Sequence, residues 1–151
     1  EKIIISKDDV LMVKTGSSMG KVAHIQSEVG DATINPQLIV FKKLDFSSRF
    51  FYYYLSTNLI NDQVKLSNKG SSIPTVTQEA VGDFACPFPP IIEQNAIASY
   101  LDCEIAKLDQ LKQKASKCIE LLSEYKTSLI SSAVTGKIDV RNYKSGDPIN
   151  N

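Results

Sequence analysis

The chain has no tryptophan, one histidine and three cysteines in 151 residues, and no net charge, since 17 basic side chains balance 17 acidic ones. Each shortage excludes something. Cys86, Cys103 and Cys118 are odd in number and far apart, so they form neither a disulfide framework nor a CxxC metal pair. Reduced, packed thiols are the expectation. His24 stands in a strand-like run with no Cys or carboxylate at ligand spacing, which leaves no metal site and no base for a nucleophile. No apolar run approaches the roughly 20 residues that span a bilayer. Glu1–Ser6 lacks the basic start and long apolar stretch of a secretory signal. A cytoplasmic protein with no membrane role is therefore expected. Zero net charge also argues against a nucleic-acid binder that works by bulk electrostatics, because such domains are usually basic.

What is present is unevenly placed. Nine of the twelve aromatics, five of the seven glycines and five of the six prolines precede residue 91. That part reads as a compact, turn-rich unit. Lys2–Ser6, Asp9–Lys14, Lys21–Gln26 and Ala32–Phe41 have the β-branched, apolar character of strands, with Pro36 pushing the last toward an edge or a bulge. Ser47 or Ser48 is placed to N-cap a helix through Leu55, Asn58–Leu66 suits a second helix, and Phe84–Phe88 suits a last strand before Pro89-Pro90. Asn68–Thr77 reads as a polar loop.

From Ile91 to Thr135 there is neither Gly nor Pro. Leu108, Leu111, Ala115, Cys118, Leu122, Tyr125 and Leu129 step by 3, 4, 3, 4, 3, 4, an a/d seam held over three heptads. Gly136 stands where a C-cap belongs. An unbroken helix over Ile91–Val134 would be roughly 66 Å long, against a radius of gyration of about 15 Å for a compact chain of this length. The helix therefore either breaks, with Asp102 the place to look, or projects and finds a partner. Ile105, Ile119, Leu121 and Ile130 lie off the seam and widen its apolar face, which favours a bundle of three or four helices over a two-stranded coil. The chain thus divides into residues 1–90, a helix over 91–135 and a tail over 136–151, an α+β organisation.

Several motifs invite a sharper reading. Gly16-Ser-Ser-Met-Gly20-Lys21 has three residues between its glycines where a phosphate-binding loop has four, and Val22 replaces the magnesium-binding hydroxyl. A hairpin turn is the better reading. Its Lys14, Thr15, Ser17, Ser18 and Lys21 are still suitable donors to a DNA phosphate or base edge. Asn35-Pro36 is followed by Gln37 and Leu38, not by the Pro-aromatic pair of amino methyltransferases, so it reads as a pre-proline turn with Asn35 and Gln37 as candidate adenine readers. Lys69, Ser71, Ser72 and Thr75 offer DNA donors on a loop that is equally well explained as solvated. With Lys14 and Lys21, Lys65 and Lys69 complete the candidate cationic face. Asp8-Asp9 is a charged lead-in to a strand. Phe50–Tyr54 has rings able to stack on bases, but helical spacing spreads them, and core packing is favoured.

As an ordered set these residues resemble a known family. Asp9–Gly16 and Met19–Ala23 are similar to the G-D-x-L…G-x-x-G-K stretch of a target recognition domain, and Ala32–Gln37 and Phe50–Leu55 fit its later segments. Gly70–Ile73 followed by Pro87-Phe-Pro-Pro-Ile-Ile-Glu-Gln94 resembles the P-L-P-P-x-x-E-Q lead into the long helix of type I restriction–modification specificity subunits. Ser131–Val140 resembles the segment that closes it. The resemblance covers the later part of one target recognition domain plus its helix. It implies an α+β fold, a small partly β recognition domain followed by a long coiled-coil-type α-helix. It implies a non-catalytic subunit that reads one half of a split site in double-stranded DNA and docks modification subunits through its helix. S-adenosylmethionine would then sit on those subunits, and ATP and magnesium on the restriction subunit of the full complex. The seam residues Leu108 to Leu129 would form the helix interface, with a homodimer as one further arrangement. The alternative is a coiled-coil regulatory module that assembles with, or competes for, the modification subunits without reading DNA. A small nucleotide-dependent enzyme rests only on the defective Gly16–Lys21 loop.

Overall fold

The computed structural model of the chain describes residues 3–30, 32–67, 75–141 and 143. The chain divides into two compact units, Glu1–Asp102 and Cys103–Asn151.

The first unit is built on a three-stranded antiparallel sheet. Val10-Leu-Met-Val13 forms β1, whose alternation buries Val10 and Met12 completely and leaves Leu11 and Val13 half-buried. Strands β2 (Val22–His24) and β3 (Leu38–Phe41) flank it in the order β2-β1-β3, with Leu11 opposite Ala23 on one side and Val40 on the other. The helices follow: α1 (Ser48–Leu55), α2 (Asn58–Ser67) and the short α3 (Gln78–Gly82). Ser47 is the N-cap of α1, its hydroxyl accepting from the Phe50 N–H. One face of α1 then buries Phe50, Phe51, Tyr54 and Leu55, so the aromatic cluster is mainly core. Phe51 meets Phe41 and Phe46 edge-on, and Ile60 and Val64 of α2 close the core from the other side.

Three expected strands come out differently. Among residues 3–6 there is a single bridge, Ile4 to Thr33, in place of a strand over Lys2–Ser6. The run Ala32–Phe41 contracts to β3, an edge strand, because Asn35 and Pro36 make a turn: the Asn35 side chain accepts the Gln37 N–H at 2.9 Å. Phe84–Phe88 is irregular. Pro87, Pro89 and Pro90 have no N–H for a ladder, and the segment is held by side chains instead, with Phe84 and Cys86 on the core and the Tyr54 hydroxyl donating to the Ala85 carbonyl. Helix α3, capped by Thr77, is too short to show a period in the sequence.

The last helix, α4 (Ile91–Val134), passes Asp102 without a break. It ends as expected at Gly136, whose φ of +76° suits glycine, with its N–H donating to Ala133 and the Ile138 N–H to Ser132. In the second unit Leu108, Leu111, Leu122 and Tyr125 are 54–66% exposed, so no described residue of the chain supplies the expected bundle.

The two glycines of the β1–β2 turn test the core's tolerance. Both have φ of +84°, but a Cβ on Gly16 meets open space, whereas one on Gly20 lies 3.1 Å from Asn61 Oδ1 and 3.4 Å from Val64 Cγ1. Gly16→Ala should cost about 1 kcal/mol of backbone strain and Gly20→Ala about 1–2 kcal/mol more. Urea denaturation measures both; equal costs would show that Gly20 is not packed as described.

Candidate nucleic-acid interface

Backbone hydrogen bonds gather several of the candidate DNA-contacting residues at one end of the sheet. The Lys14 N–H donates to the Gln37 carbonyl at 2.9 Å, the Val76 N–H donates to the Lys14 carbonyl at 2.8 Å, and Thr15 bridges Thr75. Lys14, Thr15, Gln37 and Thr75 are thereby placed together on three separate segments. Ser17, Ser18 and Lys21 belong to the turn itself, which is closed by Gly20 N–H to Val13 and Lys21 N–H to Ser18. Lys14 and Lys21 enter no ion pair among the described residues. Asn35 is partly committed: its Oδ1 already accepts from Gln37, so its amide nitrogen is what it has left to offer. Lys65 on α2 pairs with Asp62 at 3.3 Å. Lys69, Ser71 and Ser72 lie outside the described residues.

The other end of the sheet carries a second polar site that sequence reasoning misses. A cavity of about 560 Å³ is lined by Lys7, Lys42, Lys43 and Arg49 together with Asp8, Asp9 and the α1 start. Lys42 lies 3.4 Å from the buried Asp9, whose carboxylate also accepts the Ser6 N–H. The Lys42-Lys43 pair and Arg49 are the available signal, but they are separated in sequence from the residues they join.

Residues 1–121 match the family model described as the type I restriction modification DNA specificity domain. The chain belongs to that family. It is 23% identical over 143 residues to the EcoKI specificity subunit of Escherichia coli K12, covering 89% of this chain and 30% of that one. Against the EcoBI specificity subunit of Escherichia coli the identity is 26% over 93 residues, covering 62% and 19%. Against the StySPI specificity subunit of Salmonella potsdam it is 20% over 143 residues, covering 89% and 30%. The chain thus spans less than a third of the length of these relatives. In fold it is similar to a chain from a solved type I R-M system, with a TM-score of 0.67 at 17% identity, over 96% of this chain and 37% of that one.

The specificity domain explains its own Pro-Pro-x-x-Glu-Gln segment. Gln94 is 4% exposed on the first turn of α4; its Oε1 accepts the Ser47 N–H at 2.9 Å and its Nε2 donates to the Pro89 carbonyl at 2.8 Å. One amide therefore ties the start of α4 to the cap of α1. Two turns on, Asp102 takes the Arg49 guanidinium and the Tyr53 hydroxyl, both from α1. The specificity domain's lone histidine is structural: His24 stacks on Tyr52, with Nε2 at 3.0 Å from Ser48 Oγ and 3.6 Å from Asp8 Oδ1. Both partners share one ring nitrogen, unlike a catalytic relay, which uses opposite nitrogens. Among the described residues no group of three His, Cys, Asp or Glu is arranged to hold a metal, and no helix is long and apolar enough to cross a membrane.

Burial holds His24 below its ordinary 6.5; Asp8 pulls the other way and Arg49 adds to the lowering. A folded value below the unfolded one means that the unfolded chain binds the proton more readily in that window. The contribution of neutral His24 is thus complete above 6.5 and shrinks as pH falls below it. Urea midpoints measured from about pH 7.5 to about pH 5.5 should decline, and His24→Gln should flatten that decline. An unchanged slope in the variant would assign the decline to other groups.

Proposed function

We propose that this chain is a DNA-sequence-recognition element of a type I restriction–modification enzyme, reading one half of a split site in double-stranded DNA. The observation that carries the reading is the specificity-domain match over residues 1–121, four-fifths of the chain. The geometry supports it: Lys14, Thr15, Ser17, Ser18, Lys21, Gln37 and Thr75 present donors around one end of the sheet, on turns and segment ends held by backbone bonds. Phosphate donors set orientation, while Gln37 and the free amide of Asn35 are suited to base edges.

In this reading the subunit catalyses nothing and works in the cytoplasm. Methyl transfer would belong to modification subunits carrying S-adenosylmethionine, and ATP-driven steps to the restriction subunit. The a/d seam of α4 is the surface that assembles the chain with its partners. The uncompensated cations are few, so DNA affinity on its own should be modest and should rise within the assembled complex.

The test is methylome sequencing of cells carrying the modification subunits with and without this chain. Residues 1–90 replaced by those of another specificity subunit should redirect the methylated sites; unchanged sites would refute recognition by this unit. In the assembled complex, Lys14→Ala and Lys21→Ala should each reduce the slope of log K against log salt by about 1 for each phosphate the variant no longer neutralises. Slopes identical to wild type would place the phosphate-binding residues elsewhere, with the Lys7, Lys42 and Lys43 cavity the next site to change.

A further inference from the structure

The cavity at the far end of the sheet is one that DNA reading by the β1–β2 turn does not use. Its volume of about 560 Å³ lies within the roughly 300–1,000 Å³ of small-molecule sites. Three separate segments of the first unit wall it: the lead-in to β1, the connection from β3 to α1, and α4 through Asn95. The backbone is constrained there as well. Asp8 and Lys43 have φ of +67° and +51°, and among the described residues they are the non-glycine positions in the left-handed region. Both line this one cavity. Such conformations persist where the surrounding structure over-determines them, and they concentrate at ligand sites.

The charges of the wall leave a positive excess. Lys7, Lys42, Lys43 and Arg49 line the cavity against two carboxylates, Asp8 and Asp9. Asp9 is buried and already met by Lys42 at 3.4 Å and by the Ser6 N–H. Asp8 lies 3.6 Å from His24. Lys7 and Lys43 enter no ion pair among the described residues. Arg49 is held by Asp102, which is not part of the wall. A walled space with two positive charges in excess suits a small anion of matching charge and several acceptor oxygens. A phosphate monoester carries about −1.5 to −2 near pH 7 and offers three such oxygens. Leu44 and Phe46 add an apolar part to the wall, which leaves room for the ester's organic group. A duplex backbone carries a single charge per phosphate and runs over a surface, a poorer match to a walled cavity.

We propose that this cavity binds a small phosphate monoester, with Lys7 and Lys43 holding the phosphoryl oxygens and Arg49 shared between the ligand and Asp102. Arg49 belongs at once to the cavity wall and to the tie between α1 and α4. The ligand and Asp102 therefore compete for one guanidinium, and occupancy of the site acts on the hold of α1 on residues 91–102. The proposal is independent of DNA reading, since it uses none of the turn residues assigned to that role.

Calorimetric titration of the full chain with adenosine 5′-monophosphate, adenosine and inorganic phosphate tests it. The monophosphate should bind with a Kd of about 1 mM or tighter, inorganic phosphate should compete with it, and adenosine should not bind measurably. Lys7→Gln and Lys43→Gln should each weaken the monophosphate by about threefold or more, whereas Lys117→Gln on the far part of α4 should not. Asp102→Asn should tighten it by about threefold, because Arg49 is then released to the ligand. Tightening is a change that general damage to the fold does not produce, and circular dichroism checks that each variant keeps its helix content. A monophosphate that does not bind would overturn the proposal, as would adenosine binding equally well or lysine variants without effect. An unchanged affinity in Asp102→Asn would overturn the sharing of Arg49. A short DNA duplex that depends on Lys7 and Lys43 while the monophosphate fails to bind would give the cavity to DNA instead, and would equally overturn it.

Discussion

The organisation of this molecule depends on a buried amide. A side-chain amide taken out of water must find partners on both ends or lose roughly 1–3 kcal/mol for each left unmet. Gln94 meets both at backbone atoms of different segments, the Ser47 N–H and the Pro89 carbonyl. Those two bonds fix where α4 begins relative to where α1 begins. The same α1 then reaches forward with Arg49 and Tyr53 to Asp102. The cap of one short helix and two of its polar side chains thus set the direction of residues 91–102. The sheet is joined to α1 through β3 and the aromatic contacts of Phe51. Within the first unit, the direction of the first part of α4 is a consequence of one polar junction.

How much of this is legible in the sequence depends on distance along the chain. The long helix is legible because its signal is repeated: an a/d period over three heptads, no Gly or Pro, and a glycine stop at Gly136. The α1 cap is legible because capping is local. The strand expected at Phe84–Phe88 does not form, because a β-prone composition says nothing about whether a neighbour strand exists, and here proline leaves no N–H to offer one. Lys14, Thr15, Gln37 and Thr75 read in the sequence only as members of separate turns and loops. What joins them is backbone pairing between segments more than twenty residues apart, which has no local trace. Gln94 is visible as part of a motif, yet its burial is not. Nothing in Glu93-Gln94 says which of two polar residues turns inward until the Ser47 N–H and the Pro89 carbonyl are both within reach.

The balanced charge of the chain acquires a different meaning once pairing is known. In residues 1–90 nine basic side chains face nine acidic ones, so composition alone shows no basic excess. Several acids of the first unit are committed: Asp8 lies against His24, Asp9 against Lys42, Asp62 against Lys65, and Asp102 against Arg49. Lys14 and Lys21 at one end, and Lys7 and Lys43 at the other, enter no such pair among the described residues. Field at a surface follows from placement, not from a sum over the sequence. In α4 past Leu108, Lys112, Lys114 and Lys126 flank the a/d seam, while Lys117 shares the outer face with Asp109, Glu120 and Glu124. Zero net charge is therefore compatible with unpaired lysines gathered at each end of the sheet, provided the acids are consumed internally or turned outward. A domain built in this way should gain its specificity from local placement and its affinity from assembly, because neither basic surface is large enough to hold a polyanion by charge alone.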